Sequence, residues 1–195
     1  VHTTDVEPYC WGEGSSGQLG DGASTDSVTP VLVDPPSSFV ALEVETGASF
    51  SCASGGGGSV YCWGYSGAEH ALGLASAYPG SSTPVPVDGL TGLVVSDLSV
   101  GGRTACAVVS GAVYCWGDNS AGQYGDGTTA QGIAGAQQTP GLSDIVSISV
   151  GYLHVCSVDE FGFGSCWGQN YDGEVGTGTA GGSMLTPTPV LDPYE

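Results

Sequence analysis

Apolar and polar residues alternate along this chain in short runs. "LVVSDLSV", from Leu93 to Val100, and "IVSISV", from Ile145 to Val150, read as strands with one buried and one wet face. No long apolar run with a 3.6-residue period interrupts them, and turn residues break the chain at close intervals. The pattern therefore predicts many short strands joined by turns and no helices. No apolar stretch approaches the roughly 20 residues of a membrane-crossing helix.

The runs recur. Cys-Trp-Gly occurs at Cys10, Cys62, Cys115 and Cys166, with spacings of 52, 53 and 51 residues, and these tripeptides hold all four tryptophans. Each is followed by a polar loop and then a hydrophobic residue with glycine: "WGEGSSGQLGDG", "WGYSGAEHALGL", "WGDNSAGQYGDG" and "WGQNYDGEVGTG". A proline-marked strand comes next, "TPVLV", "TPVPV", "TPGL" or "TPTPV". Before the last three tripeptides lie "GASFSCAS", "GGRTACAV" and "GYLHVCSV", each with a cysteine five residues after a glycine. A period of this length with four short strand signals is what one four-stranded blade of a β-propeller requires. The expected fold is all-β, a propeller of antiparallel blades about 51–53 residues long, with about three and a half blades in the chain. The boundaries are 1–39 for a partial blade, then repeats over 40–93, 94–144 and 145–195.

The units "CAVVSGAVYCWGDNSAGQYGDGTT" and "YCWGEGSSGQLGDGASTDSVTPVLV" resemble repeats of the regulator of chromosome condensation family, in register over nearly the whole chain. The resemblance implies a propeller of blades of this size, seven in the best-known members. It implies much less about function, because that fold carries a nuclear exchange factor, secreted enzyme inhibitors and many surface proteins.

Charge narrows the choice. Lys and Arg together occur once, as Arg103, against twenty Asp and Glu, a formal net charge of -19. Such a surface repels phosphate backbones and anionic lipid, which excludes nucleic acid and membrane insertion as expected modes of action and makes an exchange factor that binds chromatin a poor match. With 40% hydrophobic residues the chain is nevertheless expected to fold. Its first residues, "VHTTDVEPYC", lack a basic segment followed by an apolar one, so it reads as a mature, soluble product.

The seven cysteines fall on the repeat as three pairs and one remainder. Cys52 with Cys62, Cys106 with Cys115, and Cys156 with Cys166 flank short turns and are expected to form disulfides across hairpins. Zinc sites favour cysteines two to four residues apart, whereas these are nine or ten apart. Three such bridges point to an oxidising compartment, hence to a secreted, extracellular or cell-surface protein. Cys10 is left over. Its partner position lies on a strand before Val1, so the chain is a piece of something longer, or Cys10 is a free thiol, or it bonds another molecule. Two copies would bring three and a half blades to seven, so a two-chain ring, a polymer, a closed four-bladed ring and an excised fragment all stand open.

Candidate chemistry is sparse. His154 occupies a slot filled by Thr104 and Phe50 in the other repeats and reads as a packing residue, and His2 offers nothing specific. His70 lies in the one irregular loop, "YSGAEHALGL", which has an extra residue before its Leu-Gly step and holds Glu69 with Tyr65 and Tyr78 nearby. Asp159 and Glu160 are adjacent at a turn and make a poor acid–base pair. Acidic runs at Asp21–Asp26, Asp118–Asp126 and Tyr171–Glu174 are candidate calcium loops, but none has the alternating ligands of a known one, so no cofactor is expected. Asn119 and Asn170 lack the third residue of an N-glycosylation acceptor, and the Ser- and Thr-rich loops leave O-linked sugar open.

The sequence thus predicts a non-catalytic, extracellular or cell-surface propeller for self-assembly or adhesion, with other copies of itself as partners and Cys10 as the intermolecular or unpaired thiol. The alternative is a secreted recognition propeller that binds a protein or a carbohydrate through face loops carrying Tyr65, Glu69, His70, Tyr124 and Tyr171.

Overall fold

A computed structural model describes residues 7–36, 39–56, 58–75 and 79–191. His2 and Tyr78 lie outside the described residues. Fourteen strands form one two-stranded and three four-stranded antiparallel sheets, with no helix among the described residues. The outer half-blade is β1 (Tyr9–Gly12) with β2 (Ser27–Leu32). The second blade comprises β3 (Ala41–Thr46), β4 (Phe50–Gly55), β5 (Ser59–Tyr65) and β6 (Gly80–Pro86). The third comprises β7 (Val95–Gly101), β8 (Thr104–Val109), β9 (Ala112–Gly117) and β10 (Gln137–Gln138). The fourth comprises β11 (Ile145–Val150), β12 (His154–Asp159), β13 (Gly164–Gln169) and β14 (Ser183–Pro189). The chain is a partial β-propeller of about three and a half blades.

Register follows from the alternation. Cys52 lies opposite Cys62, Cys106 opposite Cys115 and Cys156 opposite Cys166, and each pair is disulfide-bonded. The second and third strands of the blades are the most buried; all of β8 is enclosed. The fourth strand of a blade is its outer edge, and that is where proline collects: Pro30 in β2, Pro84 and Pro86 in β6, Pro187 and Pro189 in β14. Proline lacks the N–H a neighbouring strand would use, so it is tolerated there and blocks edge-to-edge pairing.

Blade packs on blade through tryptophan and glycine. Trp63, Trp116 and Trp167 are wholly buried, and a Cβ at Gly20, Gly73 or Gly125 of the preceding blade would stand about as close as 2.7, 2.9 and 3.0 Å to the respective indole. Burying three indoles removes a large apolar area from water at these junctions. Trp63 Nε1 donates to the Gln18 carbonyl at 2.9 Å and Trp167 Nε1 to the Gln123 carbonyl at 2.7 Å. Trp116 Nε1 is buried without an acceptor, and the loop it faces is the one lengthened by a residue.

The inner strands are also tied together. The Ile148 N–H donates to Asp97 Oδ2 at 2.7 Å and the Val150 N–H to Ser99 Oγ at 3.1 Å. In the junction before it, Glu43 and Glu45 stand in the positions of Asp97 and Ser99 and are served by the N–H groups of Leu98 and Val100.

Candidate functional site

The loop after β5 shares one face of the propeller with the turns that enter each blade's second strand. There Glu69 Oε1 accepts from Arg103 Nη1 at 2.8 Å, and the guanidinium carbon sits 5.4 Å from the centre of the Tyr65 ring. Half-exposed charges of this kind contribute little stability, so the gain is mostly in fixing the loop. His70 holds a left-handed φ of 56°, and its Nδ1 lies 3.0 Å from the Leu74 carbonyl. A carbonyl only accepts, so Nδ1 carries the proton. Tyr65 and Glu69 thus meet at Arg103, whereas the ring of the neighbouring His70 is turned to the Leu74 carbonyl.

Tyr124 does not join them, which corrects its assignment as a surface contact. It is fully buried, its hydroxyl donating to the Gly117 carbonyl at 2.7 Å. Burial, then nearby Asp118 and Asp126, push its phenol far above the ordinary value. The reason is positional: Tyr124 fills the column of Leu19, Leu72 and Val175, which packs into the core. Tyr171 is 63% exposed, but on the fourth blade's loop, two blades away from Tyr65. The imidazole of His154 lies over Gly151, where a Cβ would collide with it.

The acidic loops use their carboxylates as turn acceptors. Asp21 caps the Ala23 N–H, Asp26 the Gly14 N–H and Asp126 the Thr128 N–H. Asp118 accepts from Ser120, Gln123 and Gln131; burial opposes its charge, but these hydrogen bonds outweigh it and hold the carboxyl below the usual range. Glu174 is likewise held low, first by its own N–H and then by Gln169. Asp159 accepts the N–H groups of Phe161 and Phe163, shaping a turn. Asn119 and Asn170, buried, each brace a loop by donating to carbonyls at its far side and accepting the N–H of Tyr124 or Val175. Sequence reasoning passed over both, and over Arg103; the shared spacing of the two asparagines, three residues after a tryptophan, was the available signal.

The most distinctive surface is the open side of the half-blade. Trp11 is 64% exposed where its three counterparts are wholly buried. Beside it lies a cleft of about 420 Å³ lined by Cys10, Trp11, Leu19, Val44 and Phe50 among others. Cys10 is buried and a free thiol in the structure; burial first, then Asp21, push its thiol up, which makes it a sluggish nucleophile. Val44 is 36% exposed, whereas its counterparts Leu98 and Ile148 are 2% and 5% exposed.

A profile of the regulator of chromosome condensation (RCC1) repeat matches residues 8–54 and 110–158. The chain belongs to the RCC1 repeat family. Each matched RCC1 segment starts in a blade's outer strands and ends in the inner strands of the next blade. Over 128 residues the chain is 39% identical to the human E3 ubiquitin-protein ligase HERC2, covering 65% of this chain and 3% of that protein. Over 172 residues it is 31% identical to the ultraviolet-B receptor UVR8 of Arabidopsis thaliana, covering 86% of this chain and 38% of the receptor. Human WBSCR16 superimposes on 97% of the chain with a TM-score of 0.81 at 20% identity, over 50% of its own length. Yeast RCC1 (Prp20), solved with Kap60 bound, superimposes on 97% of the chain with a TM-score of 0.81 at 21% identity, over 46% of its own length. At these identities the structural likeness establishes the RCC1-type propeller fold and nothing finer. The chain spans half or less of the length of each of these proteins.

Proposed function

We propose that this chain is a non-catalytic, protein-binding RCC1-type module that acts outside the cell or at its surface and associates with further copies of itself. The supporting observation is Trp11. Among the described residues Trp63, Trp116 and Trp167 each pack on the hydrophobic-Gly step of a preceding blade, whereas Trp11 is exposed and the atoms nearest a Cβ at Gly176 belong to Val190 rather than to an indole. A copy placed head to tail brings the Trp11 indole to Gly176 and its Nε1–H to the Glu174 carbonyl, repeating the junction of Trp63 with Gly20 and Gln18. Such a heterologous contact closes into a ring or extends as a filament, depending on the rotation per copy. The three disulfides support the extracellular setting. That yeast RCC1 was solved with Kap60 bound supports protein partners for this fold class.

Sedimentation equilibrium of the purified chain tests the reading. Mass should rise with concentration, and Trp11→Ala should shift the dissociation constant upward by about tenfold or more, the cost of removing a buried aromatic anchor. A uniform monomer at the highest concentration, with Trp11 emission unchanged on dilution, would sink the assembly reading.

Recognition of a protein or carbohydrate by the loop face is a second reading, favoured by one observation: the chain's sole Arg stands over the Tyr65 ring beside Glu69.

A further inference from the structure

The loop between β5 and β6 collects several departures of this chain from its own repeat, and it lies at the junction of the second and third blades. After each tryptophan a four-residue turn ends in the hydrophobic-Gly step. These turns are Gly17–Gly20, His70–Gly73, Gly122–Gly125 and Gly173–Gly176, each closed by its last N–H donating to its first carbonyl at 2.8–3.1 Å. Three of them open on a glycine, with φ of 80°, 85° and 89°, whereas the turn of the second blade opens on His70, with φ of 56°. A residue that carries a Cβ is confined to the small left-handed well at about +57°, and glycine passes freely beyond it. The backbone that follows His70 therefore starts from a different angle.

The next residue of the turn shows the result. The carbonyls of Gln18 and Gln123 accept the indole N–H groups of Trp63 and Trp167 at 2.9 and 2.7 Å. Ala71 holds the equivalent position, yet among the described residues Trp116 Nε1 has no acceptor, although its indole is wholly buried. Gln18, Gln123 and Glu174 also close their own loops, each with a side-chain oxygen that accepts the N–H of Ser16, Ala121 or Asp172. Ala71 has no side-chain oxygen for that purpose. What this loop has instead is Glu69, held by Arg103 of the next blade at 2.8 Å.

We propose that the loop from Ser66 to Leu74 is a two-state element with the Arg103–Glu69 pair as its latch. In the latched state, the one in the structure, His70 stays in its left-handed well and the Trp116 N–H goes without an acceptor. In the released state residue 70 opens towards the φ of its glycine counterparts, the Ala71 carbonyl takes the Trp116 N–H, and Glu69 leaves Arg103. The first state gives up a buried hydrogen bond, and the second strains a residue that carries a Cβ. The two costs are of the same order. So close a balance is decided by a third contribution, a half-exposed ion pair of modest strength. Release frees the chain's sole guanidinium from its carboxylate, so the latch governs what the loop face presents. The inference depends on no partner, because each of its consequences is read on the free chain.

The indole N–H resonances of the isotope-labelled full chain test it. A hydrogen-bonded indole proton resonates downfield of an unbonded one, and Trp63 and Trp167 are bonded references within the same molecule. Raising sodium chloride from about 0.01 M to about 0.5 M screens the latch; it should move the Trp116 resonance downfield towards those two while they stay in place. Glu69→Gln should do the same at low salt and slow exchange of the Trp116 indole proton with solvent about tenfold, the effect of one hydrogen bond gained. His70→Gly removes the strain and leaves Glu69 and Arg103 intact, and it should shift the resonance in the same direction. Should either variant fold poorly, the salt titration of the parent reads the same equilibrium. A Trp116 resonance that ignores salt and both substitutions overturns the proposal. So does one that moves only in step with Trp63 and Trp167, which would report loosening of the whole molecule.

Discussion

Trp116 and Trp167 are the same residue in the same repeat, both wholly buried, and they differ in one hydrogen bond. Trp167 Nε1 reaches the Gln123 carbonyl at 2.7 Å, whereas Trp116 Nε1 has no acceptor. The loop before the Leu72–Gly73 step is one residue longer than its counterparts, and this is the one junction of the three in which the indole finds no carbonyl. Replacing either indole by phenylalanine removes similar apolar area, but Trp167→Phe also strands a buried carbonyl, and Trp116→Phe removes a donor that is already unpaired. Trp167→Phe should therefore destabilise by about 1–3 kcal/mol more than Trp116→Phe, and chemical denaturation of the two variants measures the difference. Equal costs would mean that the orphaned indole N–H is satisfied in solution. At this scale the sequence was legible where a column was uniform and silent where contact is long-range. The cysteine pairs could be read from spacing; Tyr124 could have been placed in the core from Leu19, Leu72 and Val175 in its column; Arg103 could not have been placed on Tyr65, because 38 positions separate them and nothing local marks the meeting.

At the scale of elements, the blades are joined by their inner strands as well as by tryptophan, and those strands use different chemistry at successive junctions. Between β7 and β11 the acceptors are Asp97 and Ser99; between β3 and β7 they are Glu43 and Glu45, with Asp97 close by. Burial first and then the charge of Asp97 raise the pKa of both glutamates. A carboxyl whose pKa is raised on folding binds its proton more tightly in the folded state. Its contribution thus favours folding at acidic pH and is lost as pH rises from the ordinary glutamate value through the raised one. Glu45→Gln keeps an oxygen for the Val100 N–H and removes the charge. The variant should melt at a higher temperature than the parent at pH 7, and the gap should close as pH falls below about 4. Comparing the variant with the parent at each pH isolates this junction from Asp118, whose lowered pKa acts in the opposite direction. A gap that stays constant with pH would show that Glu45 is not desolvated at the junction. Alternation and turn residues were enough to find the strands and their order, because each blade is a local meander. The ladder between blades was not legible, since Glu, Asp and Ser fill its positions interchangeably and only their shared role as acceptors unites them.

The whole molecule poses a conflict between shape and charge. The proposed assembly would join Trp11 of one copy to Val175–Gly176 of another, but each copy carries a formal net charge of -19, and its one Arg is paired with Glu69. On that reading, copies that approach end to end would repel at long range and attract only once the indole reaches its groove. Salt separates these two effects. The screening length falls from about 30 Å at 0.01 M to about 3 Å at 1 M, which weakens the repulsion between copies and leaves apolar burial at Trp11 in place or slightly strengthened. Association should therefore be weak at about 0.01 M sodium chloride and grow steadily towards about 0.5 M, the opposite of an interface built on ion pairs. Sedimentation velocity across that series reads the trend directly, and Trp11→Ala should flatten it. Calcium chloride and magnesium chloride at matched ionic strength complete the test: equal effects assign the growth to screening, whereas a calcium-specific step would assign it to the acidic loops at Asp21–Asp26, Asp118–Asp126 and Tyr171–Glu174. A mass that falls as salt rises would show that the copies meet through charge, and would remove Trp11 from the centre of the contact.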